Sequence, residues 1–277
     1  MVERIKRLRG RPKSFHDKSK QNTIKSLDRA LDVLSFLADG GGRSLSEVSG
    51  ELKQSTATIY RILSTLEARG AVEMDPTTQE WFIGPASFQL GSAFLRRTGI
   101  VERARPLMRE LMEETGETAN LGIEVLNEVM FISQVETNQN IRAFFPPGAK
   151  SPMHASGIGK ALLAHADQSR IEKYLAINNL EAFTNNTISD RDALRVELEQ
   201  IQYRGYAFDD EEKSLGMRCV AAPVFNVHGE AIVGISISGP TSRLSQEQIE
   251  ISGKAVKEKA TSLSMNFVVS NEVVHSN

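Results

Sequence analysis

Residues 55–66 constrain this chain most, because they read as an amphipathic helix whose polar side carries no acid. Ile59, Ile62, Leu63 and Leu66 recur at three- and four-residue steps and form one apolar stripe. Thr56, Thr58, Tyr60, Arg61 and Thr65 take the other side, and no carboxylate follows until Glu67. A surface helix usually mixes both charge signs, whereas this one offers donors and nothing that repels phosphate. Ser55 is placed to cap its start, where unpaired N–H groups and the positive dipole end would face an anion. The pattern suits a helix lying in a DNA major groove. Taken alone, it also suits an ordinary helix packed on its own core.

The neighbours decide between these. Leu27, Ala30, Leu31, Leu34 and Leu37 keep helical spacing over residues 26–39, and Gly40-Gly41-Gly42 ends that run. Ser46 is expected to cap a short second helix through Glu51, with Val48 and Leu52 inward, and Lys53-Gln54 turns into the third. Gly70 closes the third helix. Residues 71–74 and 80–83 alternate as strands around Asp75-Pro76-Thr77, a turn signal. Two helices, a tight turn, a polar-faced third helix and a hairpin are, in that order, a winged helix-turn-helix. Ahead of it, Arg4, Lys6, Arg7, Arg9, Arg11, Lys13, Lys18 and Lys20 outnumber Glu3 and Asp17 in a stretch with few apolar residues. Such an arm is expected to be flexible. Arg9-Gly10-Arg11-Pro12 could enter a narrow minor groove or serve only as a solubilising tail.

The length of 277 residues suggests two domains, and the net charge of −2 creates no global field for nucleic acid, so the local distribution matters more. A single cysteine, Cys219, excludes an internal disulfide and fits a reducing cytoplasm. No membrane span or signal peptide is expected, since no apolar run approaches the roughly 18–20 residues of a span.

Phe88, Leu90, Gly91, Ala93, Phe94 and Leu95 make residues 85–98 apolar almost all round a helix, so that helix should be covered by something. A helix follows over residues 100–115. Residues 119–126 and 129–135 read as strands around Asn127-Glu128, and residues 141–145 as a third strand, broken by Pro146-Pro147-Gly148. Helices are expected over 157–166 and 168–176, and a longer one to Tyr203 capped by Ser189. Strands are expected over 219–225 and 231–238, and a last helix capped by Ser245 to about residue 267. Hairpin strands with helices to one side indicate an α+β domain with an antiparallel sheet.

Within this half several groups could converge. Ser156-Gly157-Ile158-Gly159 enters a helix and would present free amides, with glycines that admit close approach. Ser236 and Ser238 alternate with Ile235 and Ile237, so both hydroxyls point to one face, lining a cavity or meeting water. Asp209 opens an acidic run and Cys219 a strand. Gly157-Ile158-Gly159-Lys160 lacks the full phosphate-loop pattern, because His154 and Ala161 stand where it needs Gly and Ser or Thr. Acids 209–212 have no metal-ligand spacing, nor do His154, His165 and His228. Cys219 as a nucleophile would need a basic partner, for which His154 is the available residue; an enzyme fused to a DNA-binding module is thus the rival class of function.

The chain from about residue 24 onward resembles the isocitrate lyase regulator (IclR) family of bacterial transcription factors. The resemblance rests on Ser26-Leu27-Asp28-Arg29-Ala30-Leu31, Ser55-Thr56, Arg61-Ile62-Leu63, Pro152-Met153-His154-Ala155-Ser156-Gly157, Gly159-Lys160-Ala161 and Arg204-Gly205-Tyr206-Ala207. It rests further on Asp209-Asp210-Glu211-Glu212 and on Gly216-Met217-Arg218-Cys219-Val220-Ala221-Ala222-Pro223-Val224-Phe225. One departure is Leu52-Lys53-Gln54, where the family often has Gly-Leu-Pro. Behind the basic arm (1–23), the resemblance implies a winged helix-turn-helix (24–84), a linker helix contributing to dimer contacts (85–98) and a GAF or profilin-like effector-binding domain (99–277). It implies a regulator, not an enzyme, without cofactor or metal, acting as a dimer or tetramer on a double-stranded operator. DNA contacts are expected from Ser55, Thr56, Thr58, Tyr60 and Arg61, with Arg9 and Arg11 from the arm; Arg61 could pair a guanine edge or a phosphate. By the same resemblance, the amides of Gly157 and Ile158 and the side chains of Asp209, Cys219, Ser236 and Ser238 would hold glyoxylate, or pyruvate or an aromatic acid in its place. Asp209 beside an anion would be protonated or would accept from a hydrated aldehyde.

Overall fold

The computed structural model describes residues 23–274, and the chain divides into two compact units between Phe94 and Leu95. In the first unit, helices α1 (Lys25–Ala38), α2 (Leu45–Glu51) and α3 (Thr56–Glu67) precede a hairpin of β1 (Val72–Met74) and β2 (Trp81–Ile83). Val33, Leu37, Val48, Ile59, Leu63, Val72 and Trp81 form its core. The stripe that defines α3 is therefore the stripe it buries. Ser55 caps α3 by accepting from the Thr58 amide. The cap of α2 is Ser44, not Ser46: Ser44 accepts from the Glu47 amide while the Glu47 carboxylate accepts from the Ser44 amide. That reciprocal box needs Ser and Glu three apart, a spacing Ser46 cannot supply. The turn into α3 sets Lys53 at φ +50°, a left-handed conformation that β-carbon-bearing residues rarely adopt. The hairpin register pairs Val72 with Ile83, and Asp75 closes its turn by accepting from the Thr77 and Thr78 amides.

Helix α4 (Pro85–Thr98) has no buried residue, and Phe88 and Leu90 are 78% and 75% exposed. Leu95 packs at the edge of the second unit's core, but the Phe88 and Leu90 side of this helix is left uncovered.

In the second unit, α5 (Ile100–Thr115) leads into β3 (Thr118–Val125) and β4 (Glu128–Val135), joined through Leu126 and Asn127, both at positive φ. The third strand is β5 (Lys150–Pro152), not residues 141–145. Pro146 and Pro147 carry no N–H for a ladder, and the chain returns to β4 only after them, with Lys150 opposite Met130. Helices α6 (Gly157–Ala164), α7 (Gln168–Ile177) and α8 (Arg191–Arg204) come next. Asp190 rather than Ser189 caps α8, accepting from two amides; its carboxylate matches the positive helix end better than a hydroxyl. Strands β6 (Ala207–Asp210), β7 (Met217–Phe225) and β8 (Ala231–Pro240) and helix α9 (Gln246–Val274) complete the chain. The six strands form one antiparallel sheet in the order β5-β4-β3-β8-β7-β6.

The two faces of this sheet differ. Ala119, Leu121, Val220, Ala222, Val224, Ile235 and Ile237 pack with residues of α5 and α9 into one apolar core. The other face, set by strand alternation, carries Thr118, Asn120, Asp209, Cys219, Ser236 and Ser238 and is covered in part by α6. Among the described residues no helix is long and apolar enough to cross a membrane.

Candidate functional site

On the first unit, Ser55, Thr56, Tyr60, Arg61 and Thr65 are exposed while Ile59 and Leu63 are fully buried. Thr58 is half-buried and shares a 2.9 Å hydroxyl–hydroxyl hydrogen bond with Ser55. The polar side of α3 thus stands clear of its own core. Ser26, Arg29, Thr58, Arg61 and Thr65 line a groove between α1 and α3, which puts two guanidinium groups on one surface. Arg9 and Arg11 lie outside the described residues.

On the second unit, Gly157, Ile158, Asp209, Cys219, Ser236 and Ser238 come together although four chain segments supply them. Strand register explains how. Asp209 is opposite Cys219, Cys219 opposite Ser238, and Ser238 opposite Thr118, so one row crosses four strands. The next row runs Ala221, Ser236, Asn120, Gln134. Helix α6 begins over this patch. A β-carbon at Gly157 would stand 2.8 Å from the Cys219 sulfur, so only glycine lets the helix start so low. Ile158 is fully buried against Gly234 and Gly122 of the same face. Ser156 caps α6 by accepting from the Gly159 amide at 3.1 Å.

The patch is sequestered: Ser236 is 0%, Ser238 3% and Asp209 8% exposed. The hydroxyls of Ser236 and Thr118 are buried without a hydrogen-bond partner. Burial pushes the Asp209 carboxyl up to about 6, against the pull of Lys160 and of the Glu212 amide that it accepts at 2.8 Å. Burial and the Asp209 charge raise the Cys219 thiol to about 11, so it is a thiol and a hydrogen-bond donor near neutrality. His154 bonds the Glu181 carbonyl at 2.9 Å and lies 3.4 Å from the Tyr174 hydroxyl; burial lowers its pKa and keeps it neutral. A high-pKa thiol and a histidine engaged elsewhere do not make a nucleophile and base.

The acids that follow Asp209 are engaged by the protein itself. Asp210 accepts from Arg218 at 2.7 Å and Glu211 from the Gly216 amide at 2.6 Å. Glu212 pairs with Lys160, which is 1% exposed and donates to the Phe208 carbonyl at 2.6 Å. Thr184 and Thr187 donate to the backbone carbonyls of Glu211 and Glu212 at 2.8 and 2.5 Å. This run is a bonded loop behind the patch, and among the described residues no group of three or more His, Cys, Asp or Glu gathers as for a metal. Nothing in the sequence marks Lys160 as buried or singles out Thr118 and Asn120. A lysine suggests surface, and isolated polar residues in a strand show their face only once the pairing is known.

The IclR helix-turn-helix domain model matches residues 26–76, and the model of the bacterial transcriptional regulator IclR C-terminal domain matches residues 92–265. The chain belongs to the IclR family. Its relatives include the HTH-type transcriptional regulator BhcR of Paracoccus denitrificans, 53% identical over 244 residues and 88% of each chain. The transcriptional repressor IclR of Escherichia coli is 35% identical over 270 residues, 96% of this chain and 98% of its own. The crystal structure of IclR from Thermotoga maritima superposes with a TM-score of 0.70 at 32% identity, covering 88% of this chain and 99% of that one. This IclR-family chain is accordingly a DNA-binding transcriptional regulator with an effector-binding domain, and not an enzyme.

Proposed function

We propose that this regulator reads its operator with α3 and senses a small 2-oxo acid, glyoxylate, at the patch beneath α6, controlling genes of two-carbon metabolism. The observation that carries the reading is the convergence of Gly157, Ile158, Asp209, Cys219, Ser236 and Ser238 on one sequestered sheet face. The first amides of α6 lack acceptors within the helix and sit at its positive end, which suits a carboxylate. Ser236 and Ser238 donate to that carboxylate or to the oxo group. Burial raises the Asp209 carboxyl to about 6, so an anion arriving beside it draws a proton onto Asp209 and removes the repulsion an ionised carboxylate would exert. A larger aromatic acid would need more apolar depth than a face of serines, threonine and asparagine offers.

Ser55, Thr56, Thr58, Tyr60 and Arg61 make the DNA contacts, with Arg9 and Arg11 adding phosphate or minor-groove contacts. A palindromic operator calls for two copies, and the uncovered Phe88 and Leu90 of α4 supply apolar surface for that association.

Glyoxylate has five heavy atoms, so at a ceiling of about −1.5 kcal/mol per atom its Kd is no tighter than a few micromolar. Calorimetry with glyoxylate, pyruvate and benzoate, followed by a gel shift on DNA upstream of the gene, tests the reading. Micromolar glyoxylate binding that changes DNA retention is expected; benzoate binding with no response to either 2-oxo acid would overturn it.

A further inference from the structure

Sequence and family resemblance point to Ser236 and Ser238 but say nothing of the strand beside them. Thr118 of β3 stands directly opposite Ser238, and Asn120 opposite Ser236, so the four residues form a two-by-two block on the face that meets α6. Thr118 and Asn120 are both fully buried. The Asn120 amide nitrogen donates to the Ser238 hydroxyl oxygen at 3.2 Å and lies 3.5 Å from the Thr118 carbonyl. The Asn120 amide oxygen is occupied in turn by the Gln134 amide, which donates to it at 2.9 Å.

Direction follows from these bonds. Gln134 donates into Asn120, which fixes the carboxamide with its NH2 toward Ser238. Ser238 therefore receives a hydrogen from Asn120 and keeps its own O–H for another acceptor. The Thr118 and Ser236 hydroxyls beside it are buried and have no partner. A buried hydroxyl without a partner costs free energy, and native structures keep few of them. The Cys219 sulfur, a weak acceptor, lies beside the Ser236 and Ser238 hydroxyls, so those two hydrogens are at most weakly engaged while the Thr118 hydroxyl has no partner.

We propose that Thr118 is a further effector-contacting residue, and that Asn120, held by Gln134, is a positioning residue that aims the Ser238 hydroxyl as a donor. The patch then selects a ligand rich in acceptors, a carboxylate with an adjacent oxo oxygen. The inference rests on the effector reading above for the location of the ligand.

The test uses the full chain and ligand-detected NMR titration, which keeps millimolar affinities readable, with glyoxylate and pyruvate as probes. Thr118→Val keeps the shape and deletes the hydroxyl. It is expected to raise the glyoxylate Kd by about tenfold or more, as for a hydrogen bond to a charged group, with the ligand-free melting temperature unchanged or higher. Thr118→Ser should restore affinity. Asn120→Leu removes the amide donor at similar volume without adding a charge and should weaken binding to a similar degree, but not in a Ser238→Ala background, because its effect acts through that hydroxyl.

Thr118→Val binding within twofold of the parent overturns the contact. An Asn120→Leu loss that persists in full without the Ser238 hydroxyl overturns the positioning role. If the parent chain binds pyruvate and not glyoxylate, and the variants lose pyruvate, the named effector falls and the donor patch stands. If the parent binds neither acid, both readings fall together.

Discussion

Hydroxyl side chains serve both halves of this molecule, under opposite conditions. On α3, Ser55, Thr56 and Thr65 are exposed, and Thr65 donates back to the Arg61 carbonyl at 2.7 Å. Water satisfies such groups in the unbound protein, so an arriving phosphate only exchanges one partner for another and the net gain per contact is small. On β3 and β8, Thr118, Ser236 and Ser238 are enclosed, and two of the three have no partner. There the protein carries a standing cost that a bound acceptor would relieve. One chemistry is thus tolerant of any partner when wet and demanding of one when dry.

The sharpest way to break the comparison is to remove the charge buried behind the dry patch. Lys160 is 1% exposed and holds Glu212, Phe208 and, at 3.7 Å, Glu197 together. Lys160→Met leaves Glu212 without its cation and should cost about 3–5 kcal/mol at pH 8, the usual result of breaking a buried pair from one side. Urea unfolding followed by circular dichroism measures this. Trp81, the chain's single tryptophan, sits in the core of the first unit, so its fluorescence reports that unit separately. Its transition should stay in place; a matching shift would mean that the two units unfold as one.

Proton linkage gives the next effect in size. Asp209 is raised from 3.8 to about 6, first by burial. A raised carboxyl contributes stability that is whole below the unfolded value and is lost as pH climbs through the folded one. Asp209→Asn should therefore be more stable than the parent by up to about 3 kcal/mol at pH 8 and match it below pH 4. An anion bound alongside raises the carboxyl further, so binding takes up a proton. The parent's effector Kd should then weaken as pH rises above about 6, approaching tenfold per pH unit at most, while the Asn variant stays flat. Calorimetry in two buffers of different ionisation enthalpy counts the proton; equal heats would sink the linkage.

Arg61→Ala tests the wet side. Its loss should weaken operator binding by about 1–3 kcal/mol while leaving melting and effector binding unchanged. If the loss is equal on operator and random DNA, Arg61 touches phosphate; if confined to the operator, it reads a base.

The two regions also differ in how much of them the residues declared in advance. The helix-turn-helix was legible because its signals are local: the Ile59, Ile62, Leu63 and Leu66 spacing and the Ser55 cap each lie within a few positions of one another. The sheet site was legible only in part. Alternation put Ser236 and Ser238 on one face, but bringing Thr118 and Asn120 beside them needs a pairing across more than a hundred residues, with Asn120 to Ser238 spanning 118. No local pattern encodes that register. Lys160 was hidden for another reason, since the partner that justifies burying it, Glu212, lies 52 residues away. Ser44 and Asp190 were displaced as caps by neighbouring serines of similar preference, where the geometry of one amide decides.

The smallest effect lies where sequence and family part company. In the turn before α3, Lys53 takes φ +50°. The turn holds because Ser49 donates to the Gln54 carbonyl at 2.6 Å and the Gln54 amide returns a bond to the Ser49 carbonyl at 3.1 Å. Left-handed backbone costs a residue with a β-carbon roughly 1–2 kcal/mol. Glycine removes that strain and gives back about 0.5–1 kcal/mol through its looser unfolded chain. Lys53→Gly should therefore stabilise the first unit by at most about 1 kcal/mol. It also deletes a cation beside the start of α3, where phosphate would lie, so operator affinity should fall slightly as stability rises. Trp81 fluorescence and a salt-dependent gel shift separate the two. Opposite signs mark a wet surface that gives up some stability for charge, and a fall in both would mean that the Lys53 side chain supports the turn.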